Sequence, residues 1–186
     1  MAKSKIFMIG GAKCVGKTSL TQMVSLETGI ARLETGRVLS EYVSLHPSIN
    51  FKDYLTEAIL NNEQELILDT HFAQYSPYAQ KSGVFERGLE TDNLTKLSYK
   101  FDIHLCLLEV NQEELLQRRL KNFKKSAIIP ELISEELEYN LRASKIYSAE
   151  LSKPVFRLEN TEFNEAKLKL EGWIKSLQEM EKNNEL

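Results

Sequence analysis

The stretch from Lys5 to Ser19, KIFMIGGAKCVGKTS, constrains this chain more than any other. A short apolar strand runs into two glycines, and the residues from Thr18 onward, TSLTQMV, open a helix. Between them, Gly11 to Thr18 has the form G-x-x-x-x-G-K-[ST], the phosphate-binding loop, together with the strand before it and the helix after it that the motif requires. Each residue type has its own reason. Gly11 and Gly16 permit backbone conformations closed to residues with a Cβ, so consecutive N–H groups can turn inward around an anion. The helix N-terminus adds unsatisfied donors and about half a positive charge. Lys17 supplies a full cation for the β- and γ-phosphates, and the Thr18 hydroxyl can ligate Mg2+. Gly11, Ala12, Lys13, Cys14, Val15, Gly16, Lys17, Thr18 and Ser19 are therefore the expected ATP-binding residues. Lys13 and Cys14 stand where many such loops carry proline and glycine.

A chain of 186 residues fits one domain, burying roughly 70% of the surface its unfolded form exposes. The net charge of −3 gives no support to a protein that coats DNA. Cys14 and Cys106 make neither a disulfide framework nor a zinc site, which suits the reducing cytoplasm. The few apolar residues before Gly10 are too short for a signal peptide or a spanning helix. A cytoplasmic protein without membrane contact, monomeric or a small homo-oligomer, is expected.

Further along, a helix from about Thr18 to Glu27 stops at Gly29, and Ile30 to Glu34 reads as a short strand ended by a Thr35-Gly36 turn. Helices are expected over Arg37–His46, ended by Pro47, and over Phe51–Asn61. Glu65 to Asp69 is a compact apolar run closing on an acid, the pattern of a buried parallel strand. His71 to Gly88, with Pro77 and Gly83, reads mostly as loop, followed by a short helix over Asn93–Lys100. Asp102 to Glu109 is the strongest strand. Asn111 with Glu114 has the form of a helix cap, and that helix runs into a basic segment ending at an Ile129-Pro130 break. Ser134 is expected to open the next helix, to about Leu151; Pro154–Leu158 is the last strand, and the apolar steps from Phe163 to Leu177 mark a final helix. Alternating strands and helices predict an α/β fold: a three-layer phosphate-loop NTPase architecture of about five parallel strands, helices on both faces and a small lid.

Asp69, closing a buried strand, should lie beside the phosphate loop, because ligands of open parallel sheets bind beyond the carboxyl ends of the strands. It is the expected Mg2+ acid, alongside Thr18. His71 either orients an attacking hydroxyl or water or is a plain loop histidine. Arg118 and Arg119 sit at the mouth of a basic segment with Lys121, Lys124 and Lys125, where cations can close over a transferring phosphoryl group; the lysines read better as a solvated face. Arg142 either reaches the same phosphates or pairs with Glu138 one turn away. Gly36, Arg37 and Arg87 lie where an acceptor would be gripped, while His46 and His104 look structural. GTPase chemistry is disfavoured, since neither N-K-x-D nor D-x-x-G occurs.

Together Gly11–Thr18, Glu27-Thr-Gly-Ile30, Thr35-Gly36-Arg37, Leu68-Asp69-Thr-His71, Arg118-Arg119 and Asn140-Leu-Arg142-Ala resemble adenylate kinases of the archaeal type and the related eukaryotic nuclear type, over about Lys5 to Leu151. The resemblance implies a nucleoside monophosphate kinase using ATP and Mg2+, with Lys17, Asp69, His71, Arg118, Arg119 and Arg142 as catalytic residues. It also implies an acceptor-binding insertion over about residues 36–64, shorter than in the archaeal enzymes, and a lid over about residues 121–133. The arginine that holds the AMP phosphate in those enzymes has no clear counterpart, Arg37 being nearest. Two alternatives stay open: an ATPase switch acting on a protein or RNA partner in ribosome assembly, as the nuclear-type relatives suggest, and a small-molecule kinase with a non-nucleotide acceptor.

Overall fold

A computed structural model of the chain describes residues 3–45, 48–75, 85–122 and 130–182. The apolar run ahead of the phosphate loop is strand β1 (Ser4–Gly10), and it leads into helix α1 (Lys17–Thr28). Strand β2 (Ala31–Glu34), helices α2 (Thr35–Leu45) and α3 (Phe51–Leu60) and strand β3 (Leu66–Asp69) follow. Next come a hairpin of β4 (Ala73–Tyr75) and β5 (Phe85–Arg87), then helix α4 (Thr91–Lys100), strand β6 (Phe101–Glu109) and helix α5 (Gln112–Asn122). Helix α6 (Pro130–Leu151), strand β7 (Val155–Glu159) and helix α7 (Phe163–Lys182) complete the order. The main sheet has five parallel strands in the order β2-β3-β1-β6-β7, so β1 is central.

Strand alternation divides the core between two layers of helices. Ile6 and Met8 point to one face, where Val38, Leu55, Ile59, Leu94, Leu97 and Tyr147 from α2, α3, α4 and α6 cover them. Phe7 and Ile9 point to the other, against Leu20 and Val24 of α1 and Ala166, Leu170 and Ile174 of α7. This is the expected three-layer α/β fold. None of the described helices is long and apolar enough to cross a membrane.

The structure departs from the sequence reading in three places. Thr35 and Gly36 do not turn the chain; they begin α2 directly after β2. Helix α6 starts at Pro130, one turn before Ser134, because a proline in the first helical turn lacks only an N–H that would be unpaired there anyway. Thirdly, the stretch after His71 is not simply loop. It forms the antiparallel β4–β5 pair, seated on α6 through Asn140, whose side chain accepts from Ala73 N–H at 3.1 Å and donates to Ala73 O at 3.0 Å. Tyr147 holds its far end, accepting from Leu89 N–H at 2.9 Å. The expectations for His46, Pro47, Pro77, Gly83, Lys124, Lys125, Ile129 and most of the lid lie outside the described residues. The Asn111 cap is present, its Oδ1 accepting from Glu114 N–H at 2.8 Å.

Asn140 is fully buried and serves both backbone groups of Ala73. Asn140→Ala leaves that donor and acceptor unpaired and should cost about 2–3 kcal/mol, at roughly 1 kcal/mol or more per orphaned group. Urea denaturation measures it; a loss under about 0.5 kcal/mol would show the hairpin to be held elsewhere.

Candidate active site at the phosphate loop

The sheet order brings the site together. Ile9 on β1 stands opposite Asp69 on β3, and Glu34 on β2 is opposite Asp69 on its other side, so the loop, Asp69 and Glu34 meet at one carboxyl edge. They line a cavity of about 390 Å³ with Lys13, Cys14, Lys17, Thr18, Thr35, Gly36 and His71.

The loop has the expected backbone. Gly11 and Gly16 take φ of 147° and 97°, and a Cβ would lie 2.4 Å from Leu108 O at the first and 2.4 Å from Asn160 Nδ2 at the second. Cys14 also takes positive φ, 71°, a left-handed conformation that costs a residue with a Cβ about 1–2 kcal/mol and persists only where its surroundings impose it. Burial raises the Cys14 thiol pKa against the opposing pull of Arg119, Lys13 and Lys17, so it is not an activated nucleophile. Helix α1 has Gly16 at its N-cap, so no side chain caps it, and no acid stands in its first turn, which leaves its N–H groups and positive end for an anion.

Lys17 is only 6% exposed and has folded back, its Nζ donating to Gly11 O and Ala12 O at 2.8 Å each. Desolvation by burial lowers its pKa to about 8, against the attraction of Asp69 and Glu136. His71 Nδ1 lies 3.0 Å from Gly11 O, an acceptor only, so Nδ1 carries the hydrogen and Nε2 keeps the lone pair. The Lys17–His71 approach at 3.4 Å then joins two donors and is not a hydrogen bond. Burial first and the Lys17 charge second push the His71 pKa down to about 3, so the ring is neutral.

Asp69 is buried and its Oδ2 accepts from Thr18 Oγ1 at 2.9 Å and from Arg32 Nη2 at 2.7 Å. Arg32 also bonds Glu34 Oε2 at 3.0 Å and, through Nε, Thr21 Oγ1 at 2.8 Å, so both acids share its charge. One hydroxyl and one carboxylate fit Mg2+, which usually takes one or two carboxylates and completes its octahedron with water and substrate phosphate. No group of three or more His, Cys, Asp or Glu among the described residues offers an all-protein metal site.

The remaining expected residues are dispersed. Arg118 and Arg119 lie behind the loop, bonded to its carbonyls at Val15 and Lys13. Gly36 lines the cavity and Arg37 is exposed in the first turn of α2. Arg87 is engaged elsewhere: it forms a two-pronged pair with Glu150 at 3.0 and 2.6 Å and lies over the Tyr147 ring. Arg142 is well exposed, 3.9 Å from Glu138, on a helix surface rather than in the cavity. His104 is structural as read, 2.9 Å from Asp102 and stacked on Phe7.

Sequence reasoning missed Arg32, Glu34, Glu136 and Asn160. Arg32 and Glu34 could have been found: two charges at alternate positions of a short strand share one face, and Glu34 ends that strand at the ligand edge. Asn160 carries the weaker signal of following the last strand at the same edge. Nothing local marks Glu136, which reaches the loop from α6.

No protein-family model matches the chain, and no curated protein does. Among solved structures it is similar to a shikimate kinase from Bacteroides thetaiotaomicron, with a TM-score of 0.51 and 13% identity over 94% of this chain and 99% of that one. It is also similar to a gluconokinase from Sinorhizobium meliloti 1021, with a TM-score of 0.51 and 11% identity over 95% and 99%. At such identities the likeness is one of fold, a five-stranded parallel sheet between two helical layers, and it does not single out adenylate kinases.

The Lys17 pKa gives a pH dependence of anion binding. Its charge is present below about pH 8 and is lost as pH rises through that value, whereas a bound polyphosphate restores it. Binding of ADP should take up almost no proton near pH 7 and close to one near about pH 9, with affinity falling by up to about tenfold per pH unit above the pKa. Calorimetry in buffers of different ionisation enthalpy measures this; uptake that stays at zero across the range would refute it.

Proposed function

We propose that this chain is an ATP- and Mg2+-dependent phosphotransferase that moves the γ-phosphoryl group of ATP to a small acceptor. The observation that carries the reading is a buried Lys17 held only by carbonyls, at the uncapped start of α1 and beside the Thr18–Asp69 pair. Lys17 exchanges its carbonyl partners for the β- and γ-phosphate oxygens, while the loop N–H groups bind the β-phosphate. Thr18 and Asp69 would hold Mg2+, and the ion would supply positive charge against the phosphates. His71 accepts a hydrogen bond at Nε2 and orients the attacking group; with a pKa of about 3 it steers a proton rather than storing one. The similarity to a shikimate kinase and a gluconokinase supports a kinase reading of the fold.

The resemblance to adenylate kinases points to a nucleoside monophosphate as acceptor, gripped by the α2–α3 insertion with Arg37 toward its phosphate. A second reading has a specific observation behind it. The β2 side of the cavity is lined by Glu34, and the charge of Arg32 is already shared between Glu34 and Asp69. A carboxylate there suits a hydroxyl-bearing acceptor, whose proton it can receive, better than a phosphate dianion. We favour this hydroxyl reading.

The test is a transfer assay with ATP and Mg2+ against each nucleoside monophosphate and a panel of polyols and hydroxy acids, following acceptor phosphorylation and free phosphate together. Lys17→Ala should lower turnover at least about 100-fold. Glu34→Gln should lower it by about 100-fold on a hydroxyl acceptor, the scale of a lost general base, and little on a monophosphate. Phosphate release with no acceptor modified would replace the kinase reading by an ATPase switch acting on a partner.

A further inference from the structure

Lys13 and Val15 flank Cys14 in the phosphate loop, and both are held from behind. The Val15 carbonyl accepts from Arg118 Nη1 at 3.0 Å and from Asn160 Nδ2 at 2.7 Å. The Lys13 carbonyl accepts from Arg119 Nη2 at 3.1 Å, and its N–H donates to Glu136 Oε1 at 2.7 Å. These holders are themselves braced. Arg118 bonds Glu114 at 2.7 Å and Asn160 O at 2.6 Å, Arg119 bonds Glu136 at 2.6 Å, and the Asn160 N–H donates to Glu109 O at 2.8 Å.

In a trans peptide the carbonyl and the next N–H point in opposite directions, and the described chain has no cis bond. Carbonyls drawn outward at Lys13 and Val15 therefore turn the N–H groups of Cys14 and Gly16 inward, toward the cavity that both residues line. Among the described residues neither of those N–H groups has a protein acceptor. The Lys13 carbonyl bond also holds the peptide that precedes the left-handed Cys14, and the Val15 carbonyl bonds hold the peptide one residue beyond it, surroundings of the kind that impose such a conformation on a non-glycine residue.

We infer that Arg118, Arg119, Asn160 and Glu136 form an outer clamp on the phosphate loop, the arginines being positioning residues that aim the Cys14 and Gly16 N–H groups at a polyphosphate. The inference rests on the nucleotide-binding part of the proposed function, but not on phosphoryl transfer. It differs from the role expected of Arg118 and Arg119, closing over the transferring phosphate, in a measurable way. A direct contact to the γ-phosphate acts on ATP and on turnover, whereas a clamp acts on every ligand that uses the loop N–H groups.

Calorimetric titration of the full chain with inorganic tripolyphosphate, ADP and ATP, with Mg2+, separates the two. Arg118→Ala and Asn160→Ala should each weaken all three ligands by a similar factor, about tenfold, the scale of one lost charge-assisted hydrogen bond. Turnover at saturating ATP should change by less than about threefold. Arg118→Lys should follow the alanine variant, because the shorter lysine lacks the planar fork that places Nε on Glu114, Nη1 on Val15 O and Nη2 on Asn160 O at once. Asn160→Ala and Arg118→Lys decide the matter if Arg118→Ala does not fold. Unchanged affinities with a fall in turnover, or weaker ATP with unchanged ADP and tripolyphosphate, would overturn the clamp. So would a lower melting temperature with all three affinities retained, the mark of a merely structural role. Intact polyphosphate binding without transfer to any acceptor would end the kinase reading and leave the clamp standing.

Discussion

A lysine ammonium removed from water must find oxygen partners, and at Lys17 those partners are two carbonyls of the loop it belongs to. Much of the molecule serves that arrangement. The central strand is apolar on both faces and covered by helices, and its carboxyl end opens into a cleft where a buried cation and the uncapped N–H groups of α1 act at short range. Carbonyl dipoles compensate a full charge only in part, and burial accordingly lowers the Lys17 pKa. A polyphosphate would satisfy the ammonium and the helix end together, which is the physical basis of the proposed binding.

Neighbouring groups set the rest of the chemistry through the same carbonyl. Gly11 O accepts from Lys17 and stands against His71 Nδ1, so one backbone oxygen restrains the cation and selects the imidazole tautomer. On the far side, Arg32 spreads its charge over Asp69 and Glu34 and keeps two carboxylates close without leaving either unpaired. The cavity is thus cationic at the loop and acidic at β2, the polarity on which the proposed polyphosphate donor and hydroxyl acceptor rest.

Legibility in the sequence followed the range of the forces involved. The alternation of strands and helices, the phosphate loop, the Asn111 cap and the Asp69 strand end were readable because each is written in a few consecutive residues. The β4–β5 hairpin was not. Its strands are short, and their stability comes from Asn140 and Tyr147 on a helix far along the chain. Pro130 misled for a local reason, since proline breaks a helix interior yet starts a helix well. The arginines were correctly placed near the loop, but their side was not: helix periodicity gives spacing, not which neighbour a guanidinium meets.

By itself, then, the sequence determined the α/β class and the conformation of the Gly11–Thr18 loop, because backbone stereochemistry at Gly11 and Gly16 and the charge of Lys17 act within one turn of chain. Only the tertiary structure decided which side chains join it. Strand order placed Asp69 and Glu34 side by side, and the packing of α5 and α6 behind the loop turned Arg118, Arg119 and Glu136 onto its carbonyls. The same packing left Arg87 and Arg142 with partners elsewhere. Contacts between residues distant in sequence depend on how whole elements dock, and docking is settled by burial summed over two cores rather than by any local pattern.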